Sequence, residues 1–409
     1  MGDDMYTILF IGTKKSGSSR EAIKAADRLG YLTVLLTEKI NYIEQRKEFS
    51  DVSQMIYLEE MTEGHIRKEY KKLQHQGRII KAIISFVDPY VSLAAQLMNE
   101  LCNSDISVEA FKKMEDKILT RNTLQKNATT PKYDVFLPKD ELGNFVNKEH
   151  SYPQIVKSPF SGGSKDVYLV QNKFEMKKKI EKISKLFPNQ DILIEEYLDG
   201  PQYIVEVLVH KGKLNIVAIV KQDITKKVKF IVTGYEILIN PEESLYSSLF
   251  DAVESIIKDL GVVNAACHLE IRHVHGNWKL IEINPRISGG AMNRMIEEAY
   301  GINLVEETIK SYLDNEPDLE RKHETNIYTH YLIINSSGKL LKVTGKNMAT
   351  NLPGVREVYI KPRKGAIMMP PISMGQRYAY VIASGDTPEE AKENAVNATS
   401  HIKFYLEPL

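Results

Sequence analysis

The amino-acid sequence predicts an α/β protein of several lobes, and three observations support this. The chain has 409 residues, whereas one domain usually has about 100–200. In roughly the first hundred residues, apolar runs of strand length alternate with segments of helical spacing, which is typical of a parallel sheet with crossover helices. Between residues 203 and 239, strand-like runs instead follow one another directly. We therefore expect a Rossmann-like lobe followed by α+β lobes.

The composition argues against several classes of protein. The 54 lysines and arginines balance 54 aspartates and glutamates, so the chain lacks the basic excess of a general nucleic-acid binder. No apolar run approaches the roughly 20 residues that span a bilayer, and the acidic start is unlike a signal peptide. Two cysteines, Cys102 and Cys267, are too few for a disulfide framework or a zinc site. We expect a cytoplasmic protein that acts on small molecules, without nucleic-acid or membrane partners.

The first lobe is predicted element by element. Strands are expected at 6–11, 33–36 and 79–86, and helices at 20–29 and 91–101, because their apolar residues recur at strand and helix spacing. The loop after the first strand lacks G-x-G-x-x-G, which argues against an NAD-dependent oxidoreductase.

The remainder of the chain changes from polar helices to strands. We expect helical segments at 108–128, 175–186, 249–260, 290–313 and 387–404, and strands at 152–157, 167–170, 191–197, within 203–239, at 265–272, 278–283, 327–334, 339–345 and 378–384. We divide the chain into lobes of residues 1–105, 106–200, 201–324 and 325–409.

The strongest chemical signal is the segment CHLEIRHVHGNWKLIEINPR. A hairpin turn centred on Gly276 would place Glu270 opposite Glu282 and His268 opposite Asn284. Because side chains alternate along a strand, these four would share one face. Two opposed carboxylates repel each other unless a cation lies between them.

The two carboxylates and the Asn284 amide form a hard oxygen ligand set, suited to Mg²⁺ or Mn²⁺. Two alternatives stay open at this point. The acids could face solvent on a surface hairpin. Zinc could instead be bound by His268, His273 and His275, although that set lacks a fourth ligand at motif spacing.

The segment after the hairpin combines a cation with small residues. Arg286 precedes Ser288, Gly289 and Gly290. A guanidinium beside two carboxylates suits a transferring phosphoryl group, and glycines allow backbone N–H groups to approach an anion ahead of a helix. The alternative for Arg286 is a structural ion pair with one of the two glutamates.

Two lysines and an apolar strand predict a nucleotide site. Lys157 ends a strand just before the loop SPFSGGS, whose N–H groups can surround phosphate, although the loop lacks Walker A spacing. Lys117 lies in the preceding helical stretch. The strand that ends near Leu198 offers an apolar edge and backbone groups for a purine. Taken singly, each lysine is more typical of the surface.

These landmarks occur in the order found in the ATP-grasp superfamily, which the chain resembles from about residue 1 to 320. They are MEDK at 114–117, IVKSPFSGGSKDV at 155–167, IEEYLDGPQY at 194–203, HLEI at 268–271 and IEINPRISGG at 281–290. The resemblance implies an ATP-grasp fold: an N-terminal Rossmann-like lobe, a central lid lobe, a C-terminal ATP-grasp lobe and an extension. Within the superfamily, the chain is most similar to bacterial L-amino-acid ligases.

The resemblance also implies roles for individual residues. ATP would be bound by Lys117, Lys157, Ser161, Gly162, Gly163, Ser164, Glu195, Glu196, Leu198 and Gln202. Two Mg²⁺ (or Mn²⁺) ions would be bound by Glu270, Glu282 and Asn284. Arg286 and His268 would be catalytic, and the substrate would contact His268, Arg286, Ser288, Gly289, Gly290 and Met292.

Three of these roles have alternatives. Gln202 stands where many family members carry Glu, so the ribose contact is left between Gln202 and Glu206. His268 could instead be a strand residue hydrogen-bonded to Asn284. Met292 could belong to the core rather than to a substrate pocket.

The implied reaction is an ATP-dependent acid–amino-acid ligation. Two free L-amino acids would be joined into a dipeptide through an aminoacyl phosphate, with release of ADP and phosphate, and a homodimer is allowed. The alternatives are another ATP-grasp carboxylate–amine ligase, a biotin-carboxylase-like or purine-pathway carboxylating enzyme, or a regulatory nucleotide-binding protein with a degenerate site. The C-terminal extension carries no catalytic signature.

Overall fold

A computed structural model describes residues 5–163, 165–225 and 230–409. The first lobe is a parallel sheet in the order β3-β2-β1-β4, flanked by helices. Its elements are β1 (Met5–Ile11), α1 (Ser18–Arg28), β2 (Leu32–Thr37), α2 (Ile40–Glu44), β3 (Gln54–Tyr57), α3 (Glu63–His75), β4 (Arg78–Ile84) and α4 (Val91–Cys102). The predicted parallel sheet is confirmed. Sequence reasoning missed β3, which has only four residues, and α3, whose buried stripe is limited to Ile66, Tyr70 and Leu73.

Several helices and a small antiparallel sheet follow. The elements are α5 (Val108–Glu115), α6 (Lys117–Thr123), β5 (Tyr133–Phe136), α7 (Leu142–Val146), β6 (Gln154–Lys157), β7 (Val167–Val170), α8 (Lys173–Leu186) and β8 (Ile192–Glu196), with the strand order β5-β8-β6-β7. The predicted helical stretch is divided at Asp116, whose carboxylate accepts hydrogen bonds from the N–H groups of Ile118 and Leu119. Lys117 is therefore the first residue of α6.

The described residues of the third part form long antiparallel strands and helices. Its elements are β9 (Gln202–His210), β10 (Lys213–Thr225), β11 (Ile231–Ile237), α9 (Glu243–Leu260), β12 (Ala265–Val274), β13 (Asn277–Asn284), α10 (Met292–Tyr300) and α11 (Leu304–Tyr312). Strand β9 is buried at every position. It pairs with β12, so that Gln202 lies opposite Arg272 and Glu206 opposite His268.

The C-terminal part extends the same sheet. Its elements are β14 (Asn326–Leu332), β15 (Gly338–Thr344), α12 (Lys346–Thr350), β16 (Val355–Ile360), β17 (Ile367–Met368), β18 (Ala379–Gly385), α13 (Pro388–Ser400) and β19 (Lys403–Glu407). Among the described residues, eight strands form one antiparallel sheet in the order β13-β12-β9-β10-β11-β14-β18-β16. Strands from both sides of position 325 therefore belong to one sheet. The division into four lobes stays a prediction.

One predicted element of the extension is wrong at its end. The helix expected at 387–404 stops at Ser400, and the following residues form β19, which pairs with β15. The alternating exposure along β19 is that of a strand at the edge of a sheet. In the described part of the chain, no helix has both the length and the apolar character needed to cross a membrane.

Candidate active site

The hairpin of β12 and β13 has the predicted pairs at its inner end. Glu270 lies opposite Glu282, and His268 lies opposite Asn284. A bulge after Glu270 then shifts the register by one residue. The turn is consequently the two residues His275 and Gly276, which both have positive φ, and it is not centred on Gly276 as predicted.

The opposed carboxylates lie beside a lysine from another part of the chain. Lys117 Nζ is 3.4 Å from Glu282 Oε1 and donates to the backbone oxygens of Pro159 and Ser161. Burial and the neighbouring Glu282 charge raise the pKa of Glu270 to about 7. Burial also acts on Glu282, but Lys117 and the Asn284 amide outweigh it and lower its pKa. The site thus tolerates one negative charge better than two.

This donor set fits a hard divalent cation. The Asn284 amide nitrogen contacts Glu282 Oε1 at 3.1 Å and His268 Nε2 at 3.2 Å, which leaves the amide oxygen as the ligand atom. Within the described ranges, the hairpin included, no group of three or more His, Cys, Asp and Glu side chains is placed to bind a metal ion. A cation at Glu270 and Glu282 would complete its shell from water or substrate phosphates.

His268 has both ring nitrogens occupied. Nδ1 lies 2.8 Å from the Arg286 carbonyl and must carry the proton, whereas Nε2 accepts from Asn284. Burial and the Arg286 charge lower the pKa of His268 to about 4. The hydrogen bond to Asn284 that sequence reasoning offered as an alternative is therefore present. The imidazole of His268 is therefore neutral near pH 7.

Lys157 belongs to a buried network of three charges. Its ammonium is 2.5 Å from Glu195 Oε2, and Arg121 Nε is 2.5 Å from Glu195 Oε1. Arg121 also donates to the backbone oxygens of Leu280 and Ile281 on β13. Burial alone would raise the pKa of Glu195, but the two cations lower it. The network fixes Lys157 close to the hairpin.

The predicted purine edge is only partly free. Glu196 Oε1 accepts from the Lys132 N–H, and the carbonyl of Leu198, itself 9% exposed, accepts from Arg272. Gln202 accepts from Arg272 Nε and donates to Glu270 Oε2 at 3.2 Å. The Gln202 side chain thus touches the carboxylate pair.

The predicted phosphate loop connects two parts of the chain. Ser161 donates to Asp166, and the Gly163 carbonyl accepts from the Met374 N–H at 3.1 Å. The neighbouring Gly162 carbonyl accepts from the Lys165 N–H. Ser164, also predicted to bind ATP, lies outside the described residues.

Arg286 is held by a residue of the first lobe. Its guanidinium makes a two-pronged ion pair with Asp88, and Nη1 donates to the Ile287 carbonyl. The alternative for Arg286, an ion pair with one of the hairpin glutamates, is therefore wrong in its partner, which is Asp88. Sequence reasoning missed this because 198 residues separate the two partners.

The segment from Ser288 to Gly290 packs closely on both neighbours. The Ser288 N–H donates to the buried Glu206 carboxyl, and Ser18 donates to the Ser288 carbonyl. Burial raises the pKa of Glu206 to about 8. A side chain on Gly17 would lie 2.9 Å from backbone atoms of Gly290. Gly289 lies between these contacts and is exposed.

Met292 is 2% exposed and belongs to the hydrophobic core. The position of Met292 agrees with the alternative that it packs in the core rather than lining a substrate pocket. The structure also adds Arg121, Arg272 and Asp88 to the site. Arg121 lies four residues after Lys117 and Arg272 two after Glu270, and those helical and strand spacings were signals in the sequence.

Family models match two parts of the chain. Residues 150–294 match the ATP-grasp domain. These residues form an ATP-grasp domain. Residues 330–407 match L-amino acid ligase C-terminal domain 2. The resemblance to ATP-grasp proteins, and among them to L-amino acid ligases, is confirmed.

The proteins of related sequence include the following two. Protein y4rH of Sinorhizobium fredii is 22% identical over 267 residues, which cover 64% of this chain and 55% of that protein. Dapdiamide A synthase of Enterobacter agglomerans is 23% identical over 336 residues, 78% of each chain. The chain therefore spans about half of the length of the first relative and most of the length of the second.

Solved structures confirm the predicted ATP-grasp fold. L-amino acid ligase from Bacillus licheniformis superposes with a TM-score of 0.83 at 19% identity, covering 98% of this chain and 99% of that chain. The biotin carboxylase domain of 2-oxoglutarate carboxylase from Hydrogenobacter thermophilus, solved as a dimer with MgADP and bicarbonate, gives 0.72 at 18% identity, covering 98% and 90%. Together with the family models, these relatives support the expected enzyme class, an ATP-dependent carboxylate–amine ligase.

Proposed function

We propose that this chain joins two free L-amino acids into a dipeptide, with cleavage of ATP to ADP and phosphate. The observation that carries the proposal is the opposed pair Glu270 and Glu282, whose Glu282 carboxylate is 3.4 Å from the Lys117 ammonium at the edge of the phosphate loop. Such a site gathers a divalent cation and a triphosphate. The match of residues 330–407 to an L-amino acid ligase domain supports amino acids as substrates.

The nucleotide would lie between the loop and the strand β8. Lys117 and Lys157 would bind its phosphates, and Ser161, Gly162, Gly163 and Ser164 would cover them. The adenine would lie along Glu195, Glu196 and Leu198, with Gln202 near the ribose. The buried pairs of Lys157 and Arg121 with Glu195 support this arrangement, because they hold the lysine beside the hairpin before ATP arrives.

Glu270, Glu282 and Asn284 would hold Mg²⁺, and the proposal includes two ions. Bound magnesium would neutralise charge on the triphosphate and on the transferring phosphoryl group. The protein's own part is to keep the two carboxylates opposed. The raised pKa of Glu270 fits this role, since a neighbouring cation would favour the charged carboxylate.

The first amino acid would bind at Arg286, the backbone of Ser288 to Gly290, and His268. Its carboxylate oxygen attacks the γ-phosphorus, the bond to the ADP oxygen breaks, and an aminoacyl phosphate results. The neutral amine of the second amino acid then attacks the acyl carbon. A C–N bond forms, phosphate leaves with the C–O electron pair, and the amine loses a proton. Arg286, oriented by Asp88, would stabilise the developing negative charge.

The proposal is tested by ADP release with ATP, Mg²⁺ and all pairs of amino acids, followed by the mass of the product. We expect ADP only when both amino acids are present, together with an equal amount of one dipeptide. The second candidate is a carboxylating enzyme, because the fold is similar to the bicarbonate-bound domain of 2-oxoglutarate carboxylase. ADP release that depends on bicarbonate and needs no amino acid would favour this candidate. A homodimer and a cytoplasmic location stay predictions, to be tested by sedimentation and by fractionation of cells.

A further inference from the structure

Arg377 brings a guanidinium from the C-terminal extension into the site. It follows a short 3₁₀ helix, Met374–Gln376, and is half-buried. Its guanidinium carbon is 3.9 Å from the centre of the Tyr331 ring. It donates to Tyr235 Oη at 3.1 Å and to the Val232 carbonyl at 3.3 Å, whereas its buried Nε has no partner.

The charge of Arg377 is not matched by an acid. Across residues 5–163, 165–225 and 230–409, no carboxylate forms an ion pair with it. The other cations of the site do have such partners: Lys117 with Glu282, Lys157 with Glu195, and Arg286 with Asp88. An unpaired charge in a partly buried position is costly unless a ligand supplies the counter-charge.

A second cation lies close to Arg377. Lys361 donates to the Gly375 carbonyl at 2.7 Å, and burial together with the Arg377 charge lowers its pKa. Lys361 also lacks a carboxylate partner within the described ranges. Two neighbouring cations without acids form a local excess of positive charge, in a chain whose net charge is zero.

The aromatic support of Arg377 touches the segment proposed to bind the first amino acid. Tyr331 Oη accepts from the Ala291 N–H at 3.3 Å. A side chain on Gly290 would come within 3.1 Å of the same oxygen. The Glu270 carboxylate is also near enough for its charge to act on Arg377. An anion at Arg377 would therefore lie near the segment proposed to bind the first amino acid.

We propose that Arg377 binds the α-carboxylate of the second amino acid, the one that supplies the amine. This inference rests on the proposed function. That substrate must bring a neutral amine to the acyl carbon, while its carboxylate needs a cation nearby. A guanidinium offers two parallel N–H donors that match a carboxylate, and Arg286 already makes that contact with Asp88.

The same segment supports the phosphate loop. The Met374 N–H donates to the Gly163 carbonyl at 3.1 Å, three residues before Arg377. Ser373 and Gln376 cap the short helix between these two contacts. The loop over ATP and the site for the second amino acid therefore share one support.

Arg377→Gln and Arg377→Lys test the inference, with Arg356→Gln as the matched control. Arg356 belongs to the same extension but is exposed and donates to Ser384. Steady-state ADP release is measured with the active pair from the amino-acid screen, varying each substrate in turn. The second amino acid is also replaced by its carboxamide, which lacks the negative charge. Thermal unfolding verifies that each variant is folded.

We expect Arg377→Gln to raise KM for the second amino acid about 10- to 100-fold, the usual effect of losing a charge-assisted contact. KM for ATP and for the first amino acid should change by less than about twofold, and Arg377→Lys should recover part of the loss. The wild-type preference for the free acid over its carboxamide should disappear in Arg377→Gln.

An unchanged KM for the second amino acid, or an equal loss for all three substrates in a folded variant, would overturn the inference while leaving the ligase proposal intact. A wild-type protein that releases ADP with no pair of amino acids would instead refute the proposed function, and the inference with it.

Discussion

Glu270 on β12 lies directly opposite Glu282 on β13, and the Glu282 carboxylate is 3.4 Å from the Lys117 ammonium. Like charges at directly opposed positions destabilise a strand pair by roughly 0.2–1 kcal/mol. The charge of Lys117 also acts on Glu270, but burial and the charge of Glu282 outweigh it and raise the pKa of Glu270 to about 7. The arrangement favours the arrival of another cation.

Glu282→Gln should abolish ligation while leaving the fold intact. The amide keeps the shape but removes the charge that Lys117 and a metal ion both need, so we expect ADP release to fall by roughly 100-fold or more. Saturating Mg²⁺ should restore little of it. Glu254→Gln, an exposed residue on α9, is the control and should retain activity. Near-normal ADP release in Glu282→Gln would refute the assignment of the metal site.

Arg121→Met should destabilise the protein strongly. Arg121 is 1% exposed and shares Glu195 with Lys157. Its loss leaves a buried carboxylate with one cation instead of two, and removing one partner of a buried pair costs about 3–5 kcal/mol. The partly exposed Arg67, paired with Glu63 and Glu100, provides the control Arg67→Met, with an expected cost of about 0–1 kcal/mol.

Urea denaturation of these two variants measures the difference. Equal losses in the free energy of unfolding for Arg121→Met and Arg67→Met would contradict the structural role of the network around Glu195.

Asp88→Asn should lower kcat without a large change in KM for ATP. Asp88 orients Arg286 through a two-pronged ion pair. In asparagine an NH₂ group replaces one carboxylate oxygen and cannot accept a hydrogen bond, so one of the two contacts is lost. If Arg286 stabilises the transferring phosphoryl group, we expect kcat to fall about 10-fold. Steady-state kinetics at saturating amino acids measures this. A rise in KM for ATP with unchanged kcat would place Arg286 in nucleotide binding instead.

The stability of the protein should decrease as the pH rises towards 8, in part because of Glu206. Burial raises the pKa of this carboxyl from 4.5 to about 8, so the folded protein holds a proton that the unfolded chain has released. Its contribution to stability is complete below pH 4.5 and is lost as the pH rises through about 8.

Glu206→Gln cannot ionise, and its free energy of unfolding should therefore depend less on pH. Between pH 6 and 8 we expect the wild type to lose about 2 kcal/mol more than the variant. Urea denaturation at three pH values gives both curves. Parallel curves would show that Glu206 does not titrate in the folded protein as described.

The parts of the site that were predictable from the sequence are local. A turn at Gly276 and the alternation of side chains suffice to oppose Glu270 and Glu282. The bulge after Glu270 left no signal, because it depends on how β13 packs. The helix end at Ser400 was missed for a similar reason, since β19 exists only through its pairing with β15.

The parts that were not predictable come from distant segments. Asp88 reaches Arg286 from the first lobe, and Arg377 enters the site from the extension. Neither lies in a local pattern, because such contacts depend on how whole lobes pack. Arg121 is intermediate: its helical spacing from Lys117 was visible, but its carboxylate partner, Glu195, was not.

The most direct test of the central claim follows one oxygen atom. The first amino acid is supplied with both carboxylate oxygens as ¹⁸O, together with ATP, Mg²⁺ and the second amino acid. If its carboxylate attacks the γ-phosphorus, each phosphate released with a dipeptide carries one ¹⁸O, and ADP carries none. Mass spectrometry of the phosphate measures this. Unlabelled phosphate, or release of AMP and pyrophosphate, would contradict the account.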